Sequence, residues 1–172
     1  MGKIIAGHNK KILNAHYDKI NKENGPAPKR TCNCPRNKVC PLAGECLLRD
    51  VMYKGTASAN NTEDKEYIGI SAPEFKFRYN NHNKSFRHEK YSQETTLSAY
   101  VWELKRQGIN PSVSFEIMRV VPSFTPETGV CALCTAEKLA ILKADKHRTL
   151  NSRSELTSKC RHKSRFFLEK IT

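Results

Sequence analysis

The chain has no long apolar run, and it has few acidic residues for its size. None of its apolar stretches approaches the ~20 residues that a membrane span needs. Residues 1–14 are basic but lack the apolar core of about 7–15 residues found in signal peptides. Only 17 Asp and Glu oppose 30 Lys and Arg, so the 172 residues carry a net charge of +13. We therefore expect a soluble, non-secreted chain whose field attracts polyanions such as nucleic acid.

A disulfide framework is not expected either, because the seven cysteines are odd in number and no export signal accompanies them. The cysteines fall into two groups with short spacings: Cys32, Cys34, Cys40 and Cys46, then Cys131, Cys134 and Cys160. His162 completes the second group to a Cys₃His set, which is the composition of a structural zinc site. The first group offers four thiolates. Together the two groups predict two zinc ions per chain.

The residue spacing identifies the metal ligands of the first cysteine group less clearly than those of the second. Its Cys-x-Cys start is tighter than the spacing of about two to four residues that is usual in zinc sites. A rival arrangement recruits His82 or His88 to Cys40 and Cys46, and it would remove His82 from any catalytic role. Free buried thiols are the alternative for both groups.

Composition divides the chain into three segments. The sequence Asn-Gly-Pro-Ala-Pro over 24–28 is typical of a linker, so we interpret residues 1–30 as a linker or the tail of a preceding domain. Residues 31–50 are a Cys-rich, zinc-binding segment with little periodicity. Regular patterns begin at Val51, in the third segment, which runs over 51–172.

This third segment predicts a small mixed α/β domain. Strands are expected over 51–57 and 66–70, joined by a hairpin loop over 59–65, and a third strand alternates around Phe115. Ser71, Pro73 and Glu74 predict a helix start with a capping box. The apolar-face residues at helical spacing are Phe75, Tyr79, His82 and Phe86, then Leu97, Tyr100, Val101 and Leu104, then Leu133, Ala136, Ala140 and Ile141, with Leu156 on a fourth helix. The order implies a three-stranded sheet flanked by helices.

The most informative stretch is Tyr67-Ile68-Gly69, which closes the second strand. Tyr53 lies 14 residues upstream in the first strand, and Arg78 and His82 follow at helical spacing. A single helical carboxylate, Glu137, lies far downstream. The tripeptide alone is a weak signal. Tyrosine, arginine, histidine and one acid in this order can cut a phosphodiester bond with a single metal ion.

These residues resemble the GIY-YIG nuclease family. The YIG half is intact at Tyr67-Ile68-Gly69, whereas Val51-Met52-Tyr53 keeps only the tyrosine of the GIY half. In the family an arginine follows YIG on the first helix, with a histidine one turn on, and a metal-binding glutamate lies downstream. Arg78, His82 and Glu137 match these positions.

The resemblance is closer to the endonuclease domain of Penelope-like retroelements. That version has cysteines before the first strand and before the glutamate, and it ends in a motif that matches Cys160-Arg161-His162. Asn151 matches a further asparagine of the family, so the core of the match runs roughly from Val51 to Asn151.

The expected roles follow from the resemblance and from side-chain chemistry. Tyr53 is the expected general base and His82 its proton relay, because an unperturbed tyrosine with a pKa of ~10 is a poor base at neutral pH. Arg78 supplies a forked positive charge for phosphate oxygens. Glu137 would hold one Mg²⁺ or Mn²⁺, which binds the leaving oxygen. Tyr67 would position the water or the scissile phosphate.

Each of these residues also has a purely structural interpretation. The two tyrosines can be ordinary strand residues, Arg78 a solvated charge and His82 a core histidine. Asn151 can simply cap the helix that is expected from about residue 153. Glu137 shares an apolar helix face, where an unpaired buried carboxylate is costly, and this favours a ligand role.

The sequence thus predicts a metal-dependent DNA endonuclease of GIY-YIG type over 51–172, with a C-terminal Cys/His zinc site. By resemblance, it would nick target DNA in the nucleus for a reverse transcriptase to which it is fused or with which it works. The alternatives are a catalytically inactive, zinc-stabilised nucleic-acid-binding module and a structure-specific repair or junction nuclease. A binding module has no need to keep Tyr53, Arg78 and Glu137 together.

Overall fold

A computed structural model describes residues 31–35, 39–60, 62–121, 131–160 and 162 of the chain. The expected linker or tail over 1–30 lies outside these ranges. Within them, three strands form an antiparallel sheet in the order β2-β1-β3, and four α-helices accompany it. The prediction of a mixed α/β domain with a three-stranded sheet and flanking helices is confirmed. No helix in the described ranges is long and apolar enough to cross a membrane.

The strands and helices lie close to their predicted positions. The strands are β1 (Val51–Ser58), β2 (Lys65–Ser71) and β3 (Ser112–Val120). The helices are α1 (Phe75–Arg87), α2 (Thr96–Arg106), α3 (Ala132–Lys143) and α4 (Arg153–Thr157), and a 3₁₀ turn (Glu89–Tyr91) connects α1 to α2.

Strand β1 lies at the centre of the sheet, and its register fixes the positions of the two tyrosines. Tyr53 pairs with Gly69 of β2 and with Ile117 of β3. Tyr67 pairs with Gly55 of β1. Because side chains alternate along a strand, Tyr53 and Tyr67 point to the same face of the sheet.

The two faces of the sheet are covered by different helices. On the tyrosine face, Phe75 of α1 and Leu97 of α2 are fully buried in the core that contains Tyr53. On the opposite face, Ile141 of α3 packs against Ile68. Helices therefore pack on both faces of the sheet.

Helix α1 begins at Phe75, and the predicted capping box is wrong. Ser71 is the last residue of β2, and its hydroxyl donates a hydrogen bond to the carbonyl of Pro73 at 3.0 Å. The first amides of α1 are satisfied by the Cys-rich segment instead. The Phe75 N–H donates to the carbonyl of Leu48 at 2.9 Å, and the Lys76 N–H donates to that of Cys46 at 2.8 Å. A tertiary contact has replaced the local cap.

A short segment over 148–151 completes the outer edge of β2. The Glu66 N–H donates to the carbonyl of Arg148 at 2.8 Å, and the Leu150 N–H donates to the carbonyl of Glu66 at 2.7 Å. The Asn151 side chain extends this pairing by one residue. Its Oδ1 accepts from the Ile68 N–H at 2.7 Å, and its Nδ2 donates to the Ile68 carbonyl at 2.8 Å.

Strand β3 forms the other edge of the sheet and contains a bulge. Tyr53 pairs with Ile117, but the preceding residue Met52 pairs with Arg119, so Met118 has no partner on β1. None of the described residues pairs with the outer side of β3.

Gly69 is required by the close approach of Tyr53. A β-carbon on Gly69 would lie 2.6 Å from the Tyr53 hydroxyl oxygen and 2.9 Å from a ring carbon of Tyr67. Real β-carbons do not approach other heavy atoms this closely, so a side chain here must displace the tyrosines.

Gly69→Ala should lower the free energy of unfolding by about 1–3 kcal/mol, because the extra methyl group overpacks the site around Tyr53. Gly55→Ala is the matched control in the neighbouring strand. Its β-carbon would meet Leu97 and Phe115 side-chain atoms at 3.0 Å, a milder overlap than the 2.6 Å at Gly69. Urea unfolding of both variants tests this expectation, and an equal or larger loss in Gly55→Ala would contradict it.

Candidate functional site

The Tyr53 hydroxyl is the centre of the candidate site. The Nε of Arg78 donates a hydrogen bond to the Tyr53 oxygen at 2.9 Å, and that oxygen lies 2.8 Å from Nε2 of His82. Arg78 can only donate, so with the imidazole proton on Nδ1 the His82 Nε2 atom accepts the Tyr53 proton. Arg78 and His82 lie four residues apart on α1, so both side chains reach the same spot. Three residues predicted as functional therefore lie in direct contact.

Tyr67 lies beside this group on the same sheet face. Its ring centroid is 6.4 Å from that of Tyr53 and 6.0 Å from that of His82. Tyr67 retains 7% exposure, whereas Tyr53 has none. Tyr67 is thus the less completely buried of the two tyrosines.

Burial controls the protonation of the tyrosines and the histidine. It raises the pKa of Tyr53 and of Tyr67, and the Arg78 guanidinium opposes this rise in both. Burial, with help from Arg78, lowers the pKa of His82 to about 3. At neutral pH the pair is therefore a neutral phenol and a neutral imidazole, and the imidazole is able to accept a proton.

Glu137 faces the same site from α3. Burial, and after it the nearby Glu155, raise its pKa to about 7 against the opposing effect of Arg78 and Lys138. Within the described residues, no side chain donates a hydrogen bond to the Glu137 carboxylate. A half-buried carboxylate with a second acid nearby has the chemistry of a divalent-cation ligand.

Glu155 is a site residue that the sequence reasoning missed. It lies on the five-residue helix α4, and its charge raises the pKa of both Glu137 and Tyr67. Asn151 Nδ2 donates a hydrogen bond to its carboxylate. The sequence contained one indication of its role, since Glu155 follows Asn151 by four residues. That spacing alone does not distinguish Glu155 from a solvent-exposed acid on a helix.

Asn151 positions the site through the backbone of β2. Its amide bonds both backbone groups of Ile68, the residue after Tyr67, and also contacts Glu155. It does not cap α4, since the residue at that position is Ser152 and no side-chain capping bond is made. The structural alternative offered for Asn151 is therefore wrong in its detail.

The second cysteine group converges as the spacing predicted. Cys134 Sγ lies 3.5 Å from Cys160 Sγ and 3.1 Å from His162 Nδ1, and Cys131 Sγ lies 3.7 Å from that nitrogen. Tetrahedral zinc with Zn–S bonds of about 2.3 Å requires sulfur atoms about 3.8 Å apart. The four atoms therefore have the composition and spacing to hold zinc.

The first cysteine group also converges, despite its tight Cys-x-Cys start. Cys46 Sγ lies 3.5 Å from Cys32 Sγ and 3.9 Å from Cys34 Sγ, and Cys40 completes a set whose ligand atoms all lie within 4.8 Å of one another. The Cys34 N–H donates to Cys32 Sγ at 3.4 Å. This group too can hold a metal ion.

The rival arrangement, in which His82 or His88 joins Cys40 and Cys46, is not what the structure contains. His82 is buried against Tyr53, and the ring of exposed His88 packs near that of Tyr91 at 6.3 Å. Cys32 and Cys34 take the places that the rival arrangement assigned to histidine.

No protein-family model matches this chain, and no curated protein or solved structure matches it either.

Metal analysis of protein purified without added zinc should return about two equivalents per chain, one for each four-ligand group. Cys160→Ser should reduce this to about one equivalent and lower the melting temperature, because metal-binding energy here contributes to folding. Ser158→Ala, an exposed change two residues away, is the control. Two equivalents retained in Cys160→Ser would exclude the second group as a zinc site.

Acid should destabilise the folded chain through His82. The unfolded histidine binds a proton below ~6.5, whereas the folded one does so only near a pKa of about 3. The contribution of His82 to the free energy of unfolding is therefore fully present above a pH of ~6.5. It is lost as the pH falls below that value, by up to about 1.4 kcal/mol per pH unit. Urea unfolding from pH 7 to pH 4 measures this slope.

His82→Phe should flatten that slope, while His88→Phe at an exposed position should leave it unchanged. A slope that is the same in wild type and His82→Phe would show that other groups cause the acid sensitivity.

Proposed function

We propose that this chain is a divalent-metal-dependent DNA endonuclease of the GIY-YIG type. The observation that carries the proposal is the Tyr53 hydroxyl, which contacts both Arg78 and His82. One hydrogen-bond partner is enough to satisfy a buried tyrosine hydroxyl, so an arginine and a histidine on one hydroxyl favour a chemical role. Tyr67 and Glu137 adjoin the same group.

The residues present account for the proton transfers of phosphodiester hydrolysis. A water oxygen bonds to phosphorus, the bond from phosphorus to the leaving oxygen breaks, and the water gives up a proton. Tyr53 would accept that proton while it passes its own to His82 Nε2, which is neutral and 2.8 Å away. Arg78 would neutralise negative charge on the phosphate.

Glu137 would hold the catalytic cation. Its carboxylate is half-buried and lies near Glu155, and this donor chemistry fits Mg²⁺ or Mn²⁺. A bound divalent ion supplies charge neutralisation at the leaving oxygen. Asn151 would then be a positioning residue, because its amide holds both β2 and Glu155.

DNA is the proposed substrate, and the excess of positive charge supports it. A net charge of +13 provides the phosphate neutralisation on which sequence-independent nucleic-acid affinity depends. A role in retroelement integration rests only on the resemblance of the cysteine groups to those of Penelope-like endonuclease domains. In that context the chain would nick chromosomal DNA in the nucleus, and a reverse transcriptase would extend the new end.

The complete burial of Tyr53 favours one competing function. A base must reach the attacking water, and Tyr53 has no exposed surface. A catalytically inactive, zinc-stabilised nucleic-acid-binding module would tolerate that burial. If the chain is a nuclease, Tyr67 is the alternative base, because it retains some exposed surface.

Purified protein should nick supercoiled plasmid when Mg²⁺ or Mn²⁺ is added, and Glu137→Gln should lose at least ~10²-fold of this rate. DNA affinity should stay within a few fold, because lysines and arginines supply most of the binding. Gel assays of nicking and fluorescence anisotropy of labelled DNA measure the two effects separately.

Glu116→Gln is the control for Glu137, since the Glu116 carboxylate is exposed and, among the described residues, pairs only with Lys54, at 3.6 Å. Tyr53→Phe and Tyr67→Phe in the same assay identify the base by which of them loses the rate. Absence of metal-dependent nicking in the zinc-loaded wild type would contradict this proposal and favour the binding module or a nuclease specific for branched DNA.

A further inference from the structure

A cavity of about 390 Å³ opens between α3, α4 and the segment that joins them. Its volume falls within the range of about 300–1,000 Å³ that is typical of small-ligand sites. Three aliphatic side chains and three polar ones line it: Ile141, Leu142 and Leu156, then Lys146, Thr149 and Ser152. Asn151 forms the remaining wall.

The chemistry of the walls suits a flat, mostly apolar ring with a phosphate attached. Ile141 is buried in the core beneath the cavity, and Leu156 packs against the same cluster, so the floor is fixed. Leu142 is 62% exposed at the rim, where a bound ring would cover it. Lys146 adds one positive charge at this rim, the usual partner for a phosphate.

The cavity lies next to the candidate catalytic site. Ile141 follows Glu137 by one helical turn on α3, a distance of about 6 Å along the axis. Asn151 belongs to both places, because it lines the cavity and bonds the backbone next to Tyr67. One strand of DNA rises about 3.4 Å per nucleotide. The cavity is therefore within one or two nucleotides of a phosphate held at Glu137.

We propose that this cavity receives one nucleobase of the DNA strand, turned out of the stack beside the phosphate to be cut. The assignment rests on the proposed endonuclease function. Enzymes that do chemistry on a nucleobase turn it out of the stack into a close-fitting pocket at a cost of a few kcal/mol, and the same displacement would fill this cavity. Burial against Ile141, Leu142 and Leu156 would offset part of that cost.

The polar groups of the cavity are already engaged with one another. Thr149 Oγ1 donates to Asn151 Oδ1 at 3.2 Å, and Ser152 Oγ lies 2.6 Å from Ser154 Oγ. Asn151 Nδ2 donates to Ile68 and to Glu155. Few donors and acceptors remain to read a base edge. The cavity should therefore select bases that unstack easily, and it should discriminate weakly among the four bases.

A DNA duplex with one unpaired 2-aminopurine provides a direct probe, because this base fluoresces when it leaves the stack. Binding to wild-type protein, without added Mg²⁺ or Mn²⁺, should raise the fluorescence several-fold, since the aliphatic floor cannot quench it. Ser152→Phe should fill the cavity, abolish the rise and weaken binding of this duplex by about tenfold. Binding of a fully paired duplex should not change.

Ser154→Phe is the matched control, because it also breaks the contact between Ser152 and Ser154 but lies on the exposed side of α4. It should keep the fluorescence rise and bind within about twofold of wild type. If Ser152→Phe fails to fold, Leu142→Ala at the exposed rim replaces it and should weaken binding of the bulged duplex by about fivefold.

The outcomes separate this proposal from the endonuclease proposal. A fluorescence rise without plasmid nicking supports the base site and removes the endonuclease. Nicking without the rise, or a rise that Ser152→Phe leaves intact, overturns the base site alone. A chain that neither nicks nor gives the rise overturns both.

Discussion

The site depends on one close contact, the packing of the Tyr53 hydroxyl into the space that Gly69 leaves by having no side chain. The antiparallel register makes these two residues partners, so the contact is set when β1 pairs with β2. Phe75 then packs on the Tyr53 ring at 4.8 Å, which fixes the start of α1 over the sheet. Arg78 and His82 reach the hydroxyl because α1 is held there.

Both cysteine groups lie at the first turn of a helix that carries a candidate site residue. Cys46 and its neighbour Leu48 accept hydrogen bonds from the first amides of α1. Cys131 is the N-cap of α3, and its sulfur accepts a bond from the N–H of Cys134. Metal binding at each group would thus set the direction of one helix, and the two helices bring an arginine and a glutamate to one site.

Local patterns predicted the strands, the helices and both cysteine groups, because alternation, helical spacing and ligand spacing are properties of short segments. The start of α1 was mispredicted, since its amides bond to Cys46, which lies far back in the chain. Capping was left open as an alternative role for Asn151 for the same reason, because its partner Ile68 is 83 residues away. Long-range backbone pairing leaves no short-range signal. Glu155 was not predicted as a site residue, because a single acid on a five-residue helix resembles any surface charge.

The bulge in β3 has a consequence for how copies of the chain meet. A nine-residue edge strand that no described residue covers is a template for pairing with another copy. Met118 interrupts the regular alternation of amide and carbonyl groups along that edge, and exposed Arg119 places a charge beside it. An approaching strand therefore finds a matching ladder only over 112–117. The bulge therefore shortens the regular part of the edge along which two copies of the chain could pair, and so opposes edge-to-edge association.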